Sequence, residues 1–233
     1  MQEDWTDPTK AQRWTADPIT GNPVRKEQLD ILLTVLADTY EPDKCILDLG
    51  FGSGLVEAMI FERIPEARVI GVDYSSAMMN LADRRLKAYR EQYTIVEHNL
   101  AELDSLNLPA GDYQIVVSVH SLHHLEPERV QRIYGWIHDR MKAGGLFLLL
   151  ERIAVQPPGL YRLYQSLWQR QNRLYGARVV EGESYETHRA QIDSRGDHPV
   201  SLEEHLAWLR KAGFEASCLH LHANRALFAG RRA

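Results

Sequence analysis

Gly50, Gly52 and Gly54 stand at alternate positions directly after the apolar run Cys45-Ile46-Leu47-Asp48-Leu49, and a second apolar run, Val69-Ile70-Gly71-Val72, ends on Asp73. A glycine-rich turn between a buried strand and a helix lets backbone approach a ligand where a Cβ would clash. The helix beginning near Ser53 turns its free N–H groups toward that ligand. An acidic residue closing the next strand suits a ribose diol, because a carboxylate accepts hydrogen bonds from both hydroxyls. Together these residues describe a nucleoside-type cofactor lying across the first two strands of an open α/β sheet. The spacing is G-x-G-x-G, with Leu55 where a dinucleotide fingerprint needs its last glycine, which disfavours NAD. Asp48 would repel a pyrophosphate and attract an ammonium group.

S-adenosylmethionine carries such an ammonium group, and the motifs resemble those of the class I S-adenosylmethionine (SAM)-dependent methyltransferases. ILDLGFGSG is similar to the first motif of that family and GVDYSSAMM to its second. The resemblance continues through HNLAEL, VVSVHSLHHL and MKAGGLFLLLE, over roughly residues 40 to 152. It implies a Rossmann-like α/β fold: a seven-stranded sheet with an antiparallel last strand and helices on both faces. It places Gly50, Gly52 and Gly54 around the methionine and ribose, Asp48 near the amino group, and Asp73 on the ribose hydroxyls. Tyr74 would lie against the adenine, with Asn99 and Leu100 at the exit of the third strand, where many relatives have an aspartate. Ser118 would offer its carbonyl to the cofactor.

Methyl transfer from a sulfonium is an in-line displacement, so alignment and exclusion of water matter more than elaborate catalytic groups. His120 and His123, leaving the fourth strand, face the expected methyl position, and either imidazole could act as general base, with His120 the less typical of the two for the family. The same segment lacks the Pro-Pro-aromatic element of enzymes that methylate base amines. Glu151 and Arg152 close the fifth strand, where they could bind a polar acceptor or pair with each other. No residue is assigned to a metal.

The elements that must position these groups follow a regular alternation: strand 44–49, helix 54–63, strand 67–72, helix 76–90, strands 93–98 and 113–120, helix 127–141 and strand 145–151. Asn22 is expected to cap a helix over 23–37 with Pro23 at its first position. Ser201-Leu202-Glu203-Glu204 is a capping box opening another helix, and runs 214–221 and 226–231 make a closing hairpin. The whole of 1–233 reads as one domain. Residues 1–22, with Trp5, Trp14 and the pairs Asp7-Pro8 and Asp17-Pro18, form an N-terminal arm or a flap over the cofactor. Residues 152–200 form a helical insertion between strands five and six, read as a substrate lid carrying Tyr164 and Trp168 toward the acceptor. Its Arg162, Arg170, Arg173 and Arg178 fit a solvated helix face, the other reading being an anionic or aromatic acceptor beside Tyr161, Tyr164 and Trp168.

Composition narrows the function. There are 27 Lys and Arg against 32 Asp and Glu, a net charge of −5, so no basic footprint for nucleic acid is evident. Two distant cysteines in apolar runs fit reduced thiols, and no apolar run is long enough for a membrane span, consistent with a cytoplasmic protein. The sequence therefore reads as a SAM-dependent methyltransferase acting on a small metabolite at O, N or C. The alternatives are an RNA methyltransferase, and a non-catalytic SAM-binding partner protein marked by an exposed apolar face on helix 160–175. The oligomeric state is left open.

Overall fold

The computed structural model describes residues 4–16, 22–42, 44–108, 113–177, 179 and 181–233; Asp17-Pro18 and Arg178 lie outside them. Seven strands, β1 (Cys45–Leu49), β2 (Arg68–Asp73), β3 (Tyr93–Glu97), β4 (Tyr113–Val119), β5 (Met141–Arg152), β6 (Phe214–His222) and β7 (Arg225–Arg232), form one sheet of order β3-β2-β1-β4-β5-β7-β6. β1 to β5 are parallel, and β7 inserts antiparallel between β5 and β6. The expected seven-stranded sheet is present. β4 is buried throughout, as a central parallel strand covered on both faces must be.

Helices α2 (Arg25–Thr39), α3 (Leu55–Arg63) and α4 (Ser76–Arg85) cover one face, where Leu32, Leu36, Ile60 and Phe61 meet Ile46 and Ile115. On the other face α5 (Pro127–Arg140) and α8 (Leu202–Lys211) bury Ile133, Tyr134 and Leu209 against Leu47, Val116 and Phe147. Both faces are apolar because right-handed crossovers put the helices on one face for β1 to β3 and on the other once the strand order reverses at β4. The capping box at Ser201 and Glu204 is formed as expected. The start of α2 differs: Asn22 and Pro23 form a turn, and the helix begins at Arg25 with Val24 at its cap.

Two pieces surround this frame. Helix α1 (Pro8–Ala16) and the preceding Trp5 pack Ala11, Trp14 and the Trp5 ring against Ala77 and Met78 of α4, and Ser75 Oγ donates to the Trp5 carbonyl at 2.5 Å. Between β5 and α8 lie α6 (Tyr161–Tyr175) and α7 (Tyr185–Arg195), joined through Tyr161, Trp168 and His188. Arg162, Arg170 and Arg173 are exposed on α6, the solvated face expected of them.

The glycine turn after β1 is fixed from below. Phe51 packs over Gly71 of β2 so closely that a Cβ there would fall 1.9 Å from Phe51 Cδ2. Gly71→Ala is therefore expected to destabilise the protein by about 1–3 kcal/mol through overpacking, seen as a lower urea midpoint at unchanged slope. A wild-type midpoint would mean that Phe51 can swing away freely.

Candidate active site

β1 and β4 are neighbours whose crossovers run in opposite directions, so a crevice opens beyond their carboxyl ends. The chain after β1 reverses through Gly50 and Gly52, with φ of +95° and +57°. The Gly50 and Phe51 N–H groups donate to the Val72 carbonyl at 2.9 and 3.1 Å, and the Gly52 N–H donates to Asp73 Oδ2 at 2.7 Å. Asp73 Oδ1 accepts from the Ser75 N–H at 2.8 Å. Asp73 thus holds the turn as well as facing the crevice, a second role its position in the sequence did not reveal. Gly50 is needed for space too, since a Cβ would lie 2.3 Å from both Cβ and Oγ of Ser121.

Above this turn is a cavity of about 630 Å³. One wall carries Gly50, Gly52, Asp73, Tyr74, Asn99 and Leu100, all expected cofactor residues. The donor set suits a nucleoside. Each Asp73 oxygen spends one acceptor site on a backbone N–H and keeps another for a ribose hydroxyl. Tyr74 presents a half-exposed ring at the rim. Asn99 Oδ1 already accepts from the Ala101 N–H at 2.9 Å and caps a short 3-10 turn, leaving its amide N–H₂ for a ligand.

Three expected cofactor residues are not among those lining the cavity. Gly54 begins α3, where a Cβ would lie 2.8 Å from Leu86, so it serves helix packing. Ser118 is fully buried in β4 and donates its hydroxyl to the Leu49 carbonyl at 2.8 Å. Asp48 is 1 % exposed and faces Glu57 of α3 in the layer beneath the turn. Burial, more than the Asp73 charge, pushes the Asp48 carboxyl up to about 6, while burial and Asp48 push Glu57 well above its usual range. Arg85 is the cation facing this pair.

Carboxyls with folded pKa values above their unfolded ones contribute stability that is complete at low pH and lost as pH rises through the folded values. Glu57→Gln is accordingly expected to stabilise the protein relative to wild type, with the gain growing from pH 5 to 8 by up to about 1.4 kcal/mol per pH unit. Denaturant titrations at several pH values read this directly, and a constant difference would exclude a protonated Glu57.

The opposite wall of chemistry is built on Glu151, which closes β5 and is fully buried. Its Oε1 accepts from His123 Nδ1 at 2.5 Å and from the Arg152 N–H at 2.7 Å, and its Oε2 from the Leu122 and His123 N–H groups at 2.9 and 3.2 Å. Although burial would raise this carboxyl, the His123 charge and hydrogen bond, with His120 and the Arg152 N–H, hold it below the usual range. Glu151 is thus not a substrate contact as the sequence suggested. It fixes the turn after β4 and sets the His123 tautomer, because a carboxylate can only accept.

His123 lines the cavity with Nδ1 committed to Glu151, which leaves Nε2 as its basic atom. His120 lines it too, with its Nδ1 4.0 Å from Glu151 and a backbone φ of +54°, a strained conformation for a residue with a Cβ. Burial and the Arg25 charge push His120 well below its ordinary pKa, Glu151 offsetting only part. Burial likewise lowers His123 against the pull of Glu151. Burial thus disfavours the charged form of both rings.

Of the expected acceptor residues Arg152 alone lines the cavity, and the lid adds others that were not expected. Arg152, Val179, Glu181, Arg195 and Asp197 line the cavity, and Arg152 donates to both Glu181 oxygens at 3.1 and 3.0 Å and lies 3.6 Å from Asp197. Tyr164 and Trp168 are not lining residues: Trp168 is buried against Tyr161 and His188, and Tyr164 packs beside it. Trp5, Lys10, Arg13 and Trp14 of the N-terminal arm do reach the cavity, as do Arg25 and Arg225. Those two arginines had no motif to mark them, because they are brought in by α2 and β7 from opposite ends of the chain. The fold also gathers one nitrogen each from His123 and His124 and an Asp197 oxygen within 4.8 Å. His124 Nδ1 bonds Asp197 at 2.9 Å and Arg152 sits beside the same carboxylate, so a cation there would have to displace both.

Comparison with known proteins gives a consistent picture. The family described as methyltransferase domain matches residues 46–145. The carboxy-S-adenosyl-L-methionine synthase of Yersinia pestis (strain Pestoides F) is 24 % identical over 239 aligned residues, covering 96 % of this chain and 86 % of its own. That of Nautilia profundicola is 20 % identical over 193 residues, covering 83 % and 79 %. Among solved structures, the magnesium protoporphyrin IX methyltransferase of Synechocystis PCC 6803 with bound S-adenosylhomocysteine (SAH) aligns with a TM-score of 0.59 at 16 % identity, over 92 % of this chain and 85 % of that one. An O-methyltransferase family protein of Burkholderia thailandensis aligns with a TM-score of 0.61 at 15 % identity; 95 % of this chain is covered but only 62 % of the other.

Proposed function

We propose that the chain, whose residues 46–145 match the methyltransferase domain family, is a SAM-dependent methyltransferase of class I that methylates a small metabolite with His123 as general base. The observation that supports this most is continuity: the Asp73 and glycine wall and the two histidines line one cavity. When bound, SAM supplies the electrophilic methyl group, whose carbon bonds to the acceptor atom while sulfur keeps the electron pair of the broken bond. Asp73 and the Gly50–Gly52 turn hold the nucleoside. His123 Nε2 takes the acceptor proton, and Glu151 stabilises the imidazolium that results. Residues 1–22 act as a flap and 152–200 as a lid, excluding water from the cavity.

A small acceptor fits a cavity of this size and a chain without a basic surface excess, and two free cysteines suit the cytoplasm. No helix among the described residues is long and apolar enough to cross a membrane. Leu163, Leu167 and Leu174 are exposed on α6, the apolar strip a partner-binding protein would carry. None lines the cavity, so a partner on this strip is compatible with catalysis. A second reading, favoured by the curated relatives and the arginine-rich cavity, is synthesis of carboxy-SAM.

Labelled-methyl transfer into a metabolite extract, with mass spectrometry of both products, separates these readings. A methylated metabolite plus SAH supports methyl transfer, and a cofactor that gains a carboxyl group overturns it. Asp73→Ala is expected to weaken SAH binding by about 1–3 kcal/mol in calorimetry, because charge-assisted bonds to the ribose and the anchor of Gly52 are lost together. Wild-type affinity in that variant would remove Asp73 from the cofactor site.

A further inference from the structure

One end of the cavity, where α2, β7 and the exit of β4 converge, is lined by two arginines that make no ion pair with the described residues, Arg25 with no carboxylate acting on it and Arg225 with Glu181, Glu151 and Asp197 acting from beyond contact. Arg25 opens α2, is 5 % exposed and has no hydrogen-bond partner for Nε. Its guanidinium lies 4.7 Å from the Trp14 ring centroid and makes no ion pair with the described residues. Arg225 opens β7 and donates to the neighbouring Asn224 carbonyl at 3.1 Å, again without a carboxylate in contact among the described residues. Gln28 Nε2 donates to the Arg225 carbonyl at 3.2 Å, tying α2 to β7. Between them, His120 Nε2 and Asn22 Nδ2 are buried without partners. Arg25, Arg225, His120 and Asn22 line the cavity.

Arg152 in the same cavity shows the contrast, since Glu181 and Asp197 neutralise it. A buried guanidinium left unpaired is costly, and the protein tolerates this at Arg25 only where a ligand completes it. Burial lowers Arg25 to about 10, and burial with the Arg152 charge lowers Arg225 to about 9 against the pull of Glu181, Glu151 and Asp197, so both stay cationic at neutral pH beside a His120 whose burial disfavours its charged form. The cavity lining holds Lys10, Arg13, Arg25, Arg152, Arg195 and Arg225 against Asp73, Glu181 and Asp197. SAM adds a further net positive charge, which an anionic second ligand would balance.

We propose that Arg25, Arg225 and His120 bind a carboxylate of the methyl acceptor, so that the substrate is a small organic acid whose nucleophilic hydroxyl or amine lies beyond its acid group. A guanidinium fork matches the planar carboxylate, and the imidazole and the Asn22 amide add further donors. This rests on the methyltransferase reading above, and deepens it by giving the acceptor its class.

The test uses SAH-saturated protein and calorimetry with benzoate, 4-hydroxybenzoate and succinate, each against its amide. Wild type is expected to bind at least one acid tenfold or more tighter than its amide. Arg25→Gln and Arg225→Gln should each weaken that acid tenfold or more while SAH affinity stays within threefold. Arg25→Met should also raise Tm without ligand, because it removes an unpaired buried charge, and so reports a folded variant. Equal binding of acids and amides, or no acid bound, overturns the proposal. So does phenyl phosphate outcompeting every acid. If Arg25→Gln weakens SAH tenfold while methylthioadenosine, which lacks the amino-acid end, is unaffected, the carboxylate belongs to the cofactor and the proposal again fails. Absence of SAH binding by wild type would instead sink the methyltransferase reading.

Discussion

Glu151→Gln is expected to cost about 3–5 kcal/mol of folding stability, the range for breaking a buried charged network by removing one partner. All four of its bonds come from N–H donors, two to each oxygen. Whichever way a Gln amide is turned, its N–H₂ group must face two other donors, and the side of the network it replaces is left unsatisfied. Because those donors belong to the turn carrying His120 and His123, turnover should vanish even in molecules that remain folded. The pH response supplies a second check. Glu151 has a folded pKa below its unfolded value, so its contribution is present above about pH 4 and lost as pH falls. The variant should lack that acid-side loss. Urea unfolding from pH 3 to 7 measures both, and a variant within 1 kcal/mol of wild type at pH 7 would mean that His123 is positioned by something else.

His123→Ala is expected to lower kcat by about 10²- to 10⁴-fold, the usual contribution of a general base, with SAH affinity nearly unchanged. The imidazole has its Nδ1 bound to a buried carboxylate, which leaves Nε2 to accept a proton, and burial disfavours its charged form. His120→Ala is expected to act differently, raising KM for the acceptor more than it lowers kcat, since His120 belongs with Arg25 and Arg225 at the binding end. Single-turnover kinetics at saturating acceptor separate the two effects. A large kcat loss in His120→Ala with little in His123→Ala would exchange the roles, and a few-fold effect in both would make alignment alone the source of rate.

The residue order alone determined the sheet, the cofactor and the enzyme class. Each parallel strand is a continuous apolar run, each helix follows it with a 3.6-residue pattern, and the glycines and Asp73 act through contacts made within a few residues of the β1 and β2 ends. Such signals are local, so they are written in consecutive letters. The acceptor end is different. Glu151 looked like a strand-end charge for an acceptor or a surface pair, yet the turn after β4 folds over it and buries it fully. Tyr164 and Trp168 looked like lid contacts, yet α7 and His188 pack on that face of α6 and turn it into core. Arg25 and Arg225, two hundred positions apart in the chain, meet across one cavity because β7 inserts antiparallel beside β5 and α2 packs behind it. Whether a charged side chain is neutralised, buried or left facing a ligand depends on long-range partners, and only the tertiary structure decides which partners those are.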